Sequence, residues 1–341
     1  MKAVIMAGGE GTRLRPVTGS VPKPMAPLLG RPMLEHIVRL LKKHGFTDIC
    51  AALKYRAEDI ERAFGDGAAL GVHMQYRVER EALGTAGGVK NCADFYGGED
   101  FLVISGDAAC DLDLSRLMRE HRRSGAAVTL ALHRCREPLS YGLAVTDGDG
   151  DVRCFIEKPQ WSRVVTDLVN TGIYIVSPRA MESVPKGRPF DFAKDLFPLL
   201  LARGERLHGV ALVGYWCDVG TPLAYYRCCI DALEGRLDVT PGAEFSRTAA
   251  AETDAAADAD AESIECSCES RAALMGALSE ALLDMGADCS DGIRLAGRGY
   301  SMHIAPLASR EAVRVSVRSP DGEFARSLAL SAGELIGALG L

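Results

Sequence analysis

The sequence predicts an α/β protein: a mostly parallel sheet with helices on both faces over residues 1–237, then a small α+β domain. Three observations predict it. Short apolar runs and amphipathic segments alternate through the first 235 residues, the pattern of strands joined by helical crossovers. A glycine-rich turn directly follows the first apolar run, where such sheets bind their ligands. Residues 247–263 contain no large apolar side chain, and the patterning resumes only after them.

Each element has its own reason. Lys2-Ala3-Val4-Ile5-Met6-Ala7 reads as a buried first strand, and 48–53, 101–105, 126–132 and 173–176 as further strands. Helices are expected over 32–44, 57–64 and 113–124; in the first, Met33, Ile37, Leu40 and Leu41 form a plain core stripe. Residues 238–263 read as an acidic, alanine-rich linker, because that composition cannot build a core. Beyond it, 264–341 reads as a separate unit, with helices over 270–285 and 323–339 and strands over 299–305 and 312–318. Pro320-Asp321-Gly322 supplies the turn before the closing helix.

Composition excludes several classes. With 341 residues, 48% hydrophobic, the chain can bury a sizeable core. A formal net charge of −7 argues against a general nucleic-acid surface. No apolar run reaches the roughly 18 residues of a membrane span, and a chain opening on a core strand leaves no room for a signal peptide. Eleven cysteines are scattered without a Cys-x-x-Cys pair. They read as free thiols in a reducing cytoplasm, with no structural metal.

Residues 8–25 carry the most chemistry. Gly8, Gly9 and Gly11 let the backbone wrap closely around a ligand. Arg13, Arg15 and Lys23 place three cations beside that loop, an arrangement suited to a polyphosphate. The spacing matches neither the Gly-Lys-Ser/Thr loop nor the dinucleotide fingerprint.

With Gly8-Gly9-Glu10-Gly11-Thr12-Arg13-Leu14 followed by Lys23-Pro24, the chain resembles the sugar-1-phosphate nucleotidyltransferases. Leu83-Gly84-Thr85-Ala86-Gly87, Ser105-Gly106-Asp107 and Phe155-Ile156-Glu157-Lys158-Pro159 match in order and spacing. So do Asn170-Thr171-Gly172 and Gly214-Tyr215-Trp216-Cys217-Asp218-Val219-Gly220. The likeness covers residues 1–237 and is similar in detail to the transferase part of bacterial mannose-1-phosphate guanylyltransferases. It implies a Rossmann-like catalytic domain that joins a sugar 1-phosphate to the α-phosphate of a nucleoside triphosphate, releasing pyrophosphate. The attacking phosphate oxygen is already anionic, so positioning and cationic stabilisation supply most of the rate.

The resemblance also distributes roles. Arg13 is expected to stabilise the triphosphate and departing pyrophosphate, and Lys23 to lie near the reacting phosphates. Arg15 either assists or is merely solvated. Asp107 and Asp218 are the expected Mg2+ ligands, at separate strand ends, while Asp111 and Asp113 read as a loop residue and a helix cap. Ala7, Gly8, Gly9, Gly11, Thr12, Gly84 and Thr85 would form the nucleotide site. Glu81 either reads a guanine edge or is an ordinary loop glutamate. Gly142, Glu157, Lys158, Asn170 and Thr171 would form the sugar-phosphate side, with Tyr141 packing beside them. His44, His121 and His208 receive no role.

The C-terminal unit resembles the last domain of phosphohexomutases. Its phosphate loop corresponds to Ala305-Pro306-Leu307-Ala308-Ser309-Arg310-Glu311, where alanine replaces the leading arginine. With the mutase serine region absent as well, this implies a non-catalytic relic kept for packing or association. The expected substrates are GTP and mannose 1-phosphate. The alternatives are a glucose-1-phosphate uridylyl- or thymidylyltransferase, or a silent regulatory subunit that binds nucleotide sugars. Retention of Arg13, Lys23, Asp107 and Asp218 favours an active enzyme. Whether copies of the chain assemble stays open.

Overall fold

The computed structural model describes residues 1–14, 18, 21–233, 235–240, 262–267, 274–275, 278, 293–297, 300–307 and 312–338. Arg15, the stretch 247–261, most of the expected helix 270–285 and Ala308–Glu311 lie outside the described residues. The chain divides into two compact units. The first comprises Met1–Glu10, Pro22–Met25 and Met33–Asp218, and the second Gly11–Val21, Ala26–Pro32 and Val219–Leu341.

In chain order the strands begin with β1 (Lys2–Ala7), the short pair β2 (Pro27–Leu28) and β3 (Arg31–Pro32), β4 (Asp48–Leu53) and β5 (His73–Val78). They continue through β6 (Phe101–Ser105), β7 (Ala108–Cys110), β8 (Val128–Arg134), β9 (Gly142–Thr146) and β10 (Val152–Glu157). β11 (Leu168–Val176), β12 (Leu207–Ala211) and β13 (Trp216–Asp218) close the first unit. Its helices are α1 (Met33–Lys43), α2 (Ala57–Phe64), α3 (Gly84–Lys90), α4 (Ala93–Tyr96), α5 (Leu114–Ser124), α6 (Pro178–Glu182) and α7 (Phe197–Ala202).

The nine-stranded sheet runs β10-β9-β11-β6-β1-β4-β5, with β8 joined to β11 and β12 to β8. Its β6-β1-β4-β5 half is parallel, so the C-terminal ends of four strands open on one edge, where open α/β sheets bind ligands. β11 runs antiparallel to β6, β8 and β9. Strand alternation builds a core on each face. Ala3 and Ile5 pack with Leu34, Ile37 and Leu41 of α1 and Leu117 of α5, while Val4 packs with Val89, Phe95, Phe192 and Phe197.

The elements expected at 2–7, 48–53, 57–64, 101–105 and 312–318 recur with those bounds, and others have shifted ends. The strand read at 126–132 lies at Val128–Arg134, and the run at 173–176 is the end of a strand that begins at Leu168. The polar residues Asn170-Thr171-Gly172 belong to that strand because a bulge absorbs them. Register with β8 slips between Asn170 and Tyr174, Gly172 sits at φ 76°, and the Thr171 hydroxyl donates to the Ala131 carbonyl at 2.7 Å.

The second unit contains β2 and β3, α8 (Pro222–Leu233), β14 (Glu262–Ser267), β15 (Ile293–Gly297), β16 (Tyr300–Pro306), β17 (Ala312–Arg318) and α9 (Gly322–Ala338). Its antiparallel sheet is ordered β14-β17-β16-β15. Glu262 and Ser263, read from sequence as linker, pair with Val317 and Ser316 and so belong to this sheet. Ile230 of α8 is buried in the same core as Met302, Val315, Ala329 and Ile336. The Tyr225 hydroxyl, also on α8, donates to the Pro27 carbonyl.

Candidate active site

Strand ends bring two of the expected acidic residues together. Gly106 follows β6 and donates its N–H to the Met6 carbonyl at 2.8 Å. A Cβ at this position would lie 2.9 Å from the Ala7 Cβ and 3.0 Å from that carbonyl oxygen, so only glycine lets the turn pass this close to the end of β1. Asp107 comes next. β7 then pairs antiparallel with β13, setting Asp218 opposite Ala108. Asp111 secures that ladder by accepting the Tyr215 N–H at 2.6 Å, while Asp113 caps α5 by accepting from the Arg116 N–H at 2.9 Å.

Lys23 occupies the space between the acids. Its Nζ lies 2.7 Å from Asp107 Oδ2 and 3.6 Å from Asp218 Oδ1, and the residue is only 8% exposed. Ser105 holds the other Asp107 oxygen, its hydroxyl donating to Oδ1 at 2.5 Å. A buried ammonium flanked by two carboxylates has its charge offset and its position fixed. Among the described residues no cluster of three or more His, Cys, Asp or Glu side chains could hold a metal by themselves. Two carboxylates suffice for an ion that takes its remaining ligands from phosphate oxygens and water.

A cleft of about 410 Å³ opens beside this group, lined by residues that include Gly8, Gly9, Lys54, Glu79, Gly84, Thr85, Asp107 and Asp191. Glu79 and Asp191 are acidic side chains of this lining that sequence reasoning missed. Glu81, read as a candidate for the base edge, is exposed and outside the lining; the carboxylate that enters is two residues earlier. Glu79 Oε2 accepts the Leu83 N–H at 3.1 Å. Burial pushes its carboxyl above the ordinary glutamate range, against the opposing effects of that N–H and the Lys54 charge. A Cβ on Gly88 would approach Oε1 to 2.4 Å, so the small floor of the cleft is what admits the carboxylate.

The residues expected on the sugar side meet across three strands. Gly142 of β9 pairs with Glu157 of β10, and the Val169–Leu143 pairing sets Asn170 next to Gly142. Lys158 is exposed at φ 41°, and its N–H donates to the Tyr141 carbonyl at 3.2 Å. Thr171 departs from expectation. It is buried, and its hydroxyl is committed to Ala131, so it holds the bulge. Asn170 Oδ1 accepts the Gly172 N–H at 3.1 Å. Trp216 donates its indole N–H to the Thr171 carbonyl at 3.2 Å and meets the edge of Tyr141 at 5.2 Å, tying this side to β13.

Gly11, Thr12 and Arg13 fall in the second unit. There a 3-10 turn spans Thr12–Leu14, closed by the Leu14 N–H donating to Gly11 O at 2.8 Å, with Arg13 exposed. The histidines left without a role have structural partners: His44 with Ser115, His121 with Thr129 and His208 with Asp151. No disulfide joins the nine described cysteines.

This fold defines an open, mostly parallel α/β class with a cleft at the strand ends, and comparison with known proteins identifies the family. Residues 2–234 match the nucleotidyl transferase family, to which the chain belongs. It is 38% identical over 240 residues to a UTP–glucose-1-phosphate uridylyltransferase of Synechocystis, covering 67% of this chain and 62% of that protein. It is 37% identical over 234 residues to a mannose-1-phosphate guanylyltransferase of Mycobacterium tuberculosis, covering 68% and 65%. The match thus spans less than two thirds of either relative. Among solved structures, a Bacillus anthracis protein assigned as a glucose-1-phosphate thymidylyltransferase superposes with TM-score 0.64 at 28% identity, covering 72% of this chain and 99% of that one. HddC from Yersinia pseudotuberculosis complexed with GMP-PN gives TM-score 0.59 at 29% identity, covering 67% and 97%.

Proposed function

We propose that the chain is a sugar-1-phosphate nucleotidyltransferase that transfers GMP from GTP to a hexose 1-phosphate, mannose 1-phosphate in particular, giving GDP-mannose and pyrophosphate. Membership in the family supports the reaction class. The observation that carries the choice of base is Glu79. A carboxylate offers two acceptors side by side, which complement the adjacent N1–H and N2–H donors of guanine. Uracil and thymine present one N–H flanked by carbonyl oxygens, and a carboxylate repels those.

In this reading the sugar phosphate oxygen attacks the α-phosphorus and the bond to pyrophosphate breaks. Lys23 neutralises charge between the meeting phosphates. Asp107 and Asp218 would hold a Mg2+ ion, whose chemistry is to offset phosphate charge. Gly142, Glu157, Lys158 and Asn170 would receive the sugar 1-phosphate. The ion pairs of Lys23 with Asp107 and Asp218 support an active enzyme over a silent subunit. No described helix is long and apolar enough to cross a membrane, and described cysteines without disulfides fit a cytoplasmic setting.

A second reading, glucose-1-phosphate uridylyltransfer, is favoured by the 38% identity to the Synechocystis relative. A panel of the four common triphosphates against mannose, glucose and galactose 1-phosphates, read by pyrophosphate release and product mass, separates the two. GTP with mannose 1-phosphate is expected to give the largest kcat/KM. A UTP–glucose 1-phosphate maximum would establish the second reading instead.

A further inference from the structure

The turn that opens α3 is held from outside by a segment about a hundred residues away in sequence. The Phe190 N–H donates to Leu83 O at 2.8 Å, and Phe190 O accepts the N–H groups of Ala86 and Gly87 at 3.0 Å each. The fit is tight, since a Cβ at Gly84 would come within 2.7 Å of Phe190 O. One side-chain link reinforces it. The Thr85 hydroxyl donates to Asp191 Oδ2 at 2.8 Å and accepts the Phe192 N–H at 2.9 Å.

Asp191 is itself fixed on several sides. Its Oδ1 accepts the N–H groups of Ala193 and Lys194 at 2.9 and 3.2 Å, and its own N–H donates to Asp195 Oδ2 at 2.7 Å. It precedes a single π-helical turn, Phe192–Leu196, a geometry that is rare and recurs at functional sites. Asp191 and Thr85 both line the cleft. Leu83, whose N–H orients Glu79, directly precedes the clamped Gly84.

We propose that Asp191 is a positioning residue for the nucleotide: through the Thr85 hydroxyl it fixes the Leu83–Thr85 wall and, with it, the Glu79 carboxylate that reads the base. This rests on the reading that the cleft takes a nucleoside triphosphate. A wall that drifts costs binding and base discrimination together, because the same turn supplies the contact surface and the N–H that orients Glu79.

The test uses the full chain. Thr85→Val removes the hydroxyl at nearly constant volume, Thr85→Ser retains it, and Asp191→Asn keeps a hydrogen-bonding partner for it. GTP affinity by titration calorimetry, both KM values and Tm are compared. Thr85→Val is expected to weaken GTP binding about tenfold and to lower the GTP/UTP preference, with the sugar-phosphate KM unchanged. Thr85→Ser should stay within about twofold of wild type, with Asp191→Asn intermediate. Unaltered GTP binding by Thr85→Val would overturn the proposal, as would an equal rise in both KM values with a lowered Tm. A wild-type chain that binds GTP without transferring it would overturn the transfer reading alone, and the binding comparison would still decide the role of Asp191.

Discussion

In the proposed reaction, Lys23 carries the neutralising charge. Its ammonium is buried, fixed by Asp107 at 2.7 Å and within 3.6 Å of Asp218, so it needs little reorganisation when anionic substrates arrive. Lys23→Ala should therefore lower kcat far more than it raises the nucleotide KM. An unchanged kcat in steady-state kinetics would make it an ordinary binding residue. Asp107→Asn and Asp218→Asn should each lower turnover by on the order of a thousandfold at saturating magnesium, with the far-UV spectrum retained. Glu79 adds a pH dependence whose sign follows from burial. Its carboxyl titrates above the ordinary glutamate range, and guanine needs the ionised form. GTP affinity should thus fall as pH drops through that raised value, while Glu79→Gln should lack this dependence in the same titrations. Asp107 was legible in sequence because Ser105-Gly106-Asp107 ends a plainly buried strand. Glu79 obeys the same rule, one residue past β5, with its N–H donating to Leu53 O at 2.7 Å. The charged run Arg77-Val78-Glu79-Arg80-Glu81 hid it, since composition does not tell which carboxylate turns inward.

Elements position these groups through close approaches that only a few residues permit. Gly84 combines φ 70° with a hypothetical Cβ 2.7 Å from Phe190 O. Gly84→Ala should cost about 2 kcal/mol of stability and displace the base-side turn. Urea unfolding of the full chain checks the first effect and GTP titration the second. Strands β1, β4 and β6 of the parallel half were legible from their apolar runs, because strands buried on both faces leave a continuous signal; β5 was not read, since of His73–Val78 only Met74 is buried. β11 was legible only at its end. Its first part carries Asn170-Thr171-Gly172, polar residues satisfied inside the strand by the Ala131 carbonyl and the Gly172 N–H. Thr171 shows the limit of motif transfer: a hydroxyl at the expected place in the chain is spent on holding a bulge.

At the scale of the whole molecule, the second unit joins distant parts of the sequence. α8 contributes Ile230 to the core of the β14-β17-β16-β15 sheet, and that residue is only 2% exposed. The alanine-rich stretch in the sequence pointed to a second unit, whereas the place of α8 in its core needed the tertiary packing to be seen. Ile230→Ala should cost about 2–4 kcal/mol of stability in that unit. A chain ending at Ala243 lacks the sheet and should keep transferase turnover but lose solubility, and Ile230→Ser should recover part of it in sedimentation assays. Greater solubility of the unsubstituted short chain than of the full chain would contradict the packing account.

The central claim, that this cleft selects guanine through Glu79, is tested most directly by the ratio of kcat/KM for GTP to that for UTP, measured with wild type and with Glu79→Gln. An amide offers one donor and one acceptor, which complement the N3–H and O4 of uracil rather than the paired donors of guanine. The account predicts a wild-type ratio well above one that falls at least tenfold in Glu79→Gln, on the order of one mismatched hydrogen bond to a charged group. A ratio unchanged by the substitution, or a wild type that already prefers UTP, would contradict it.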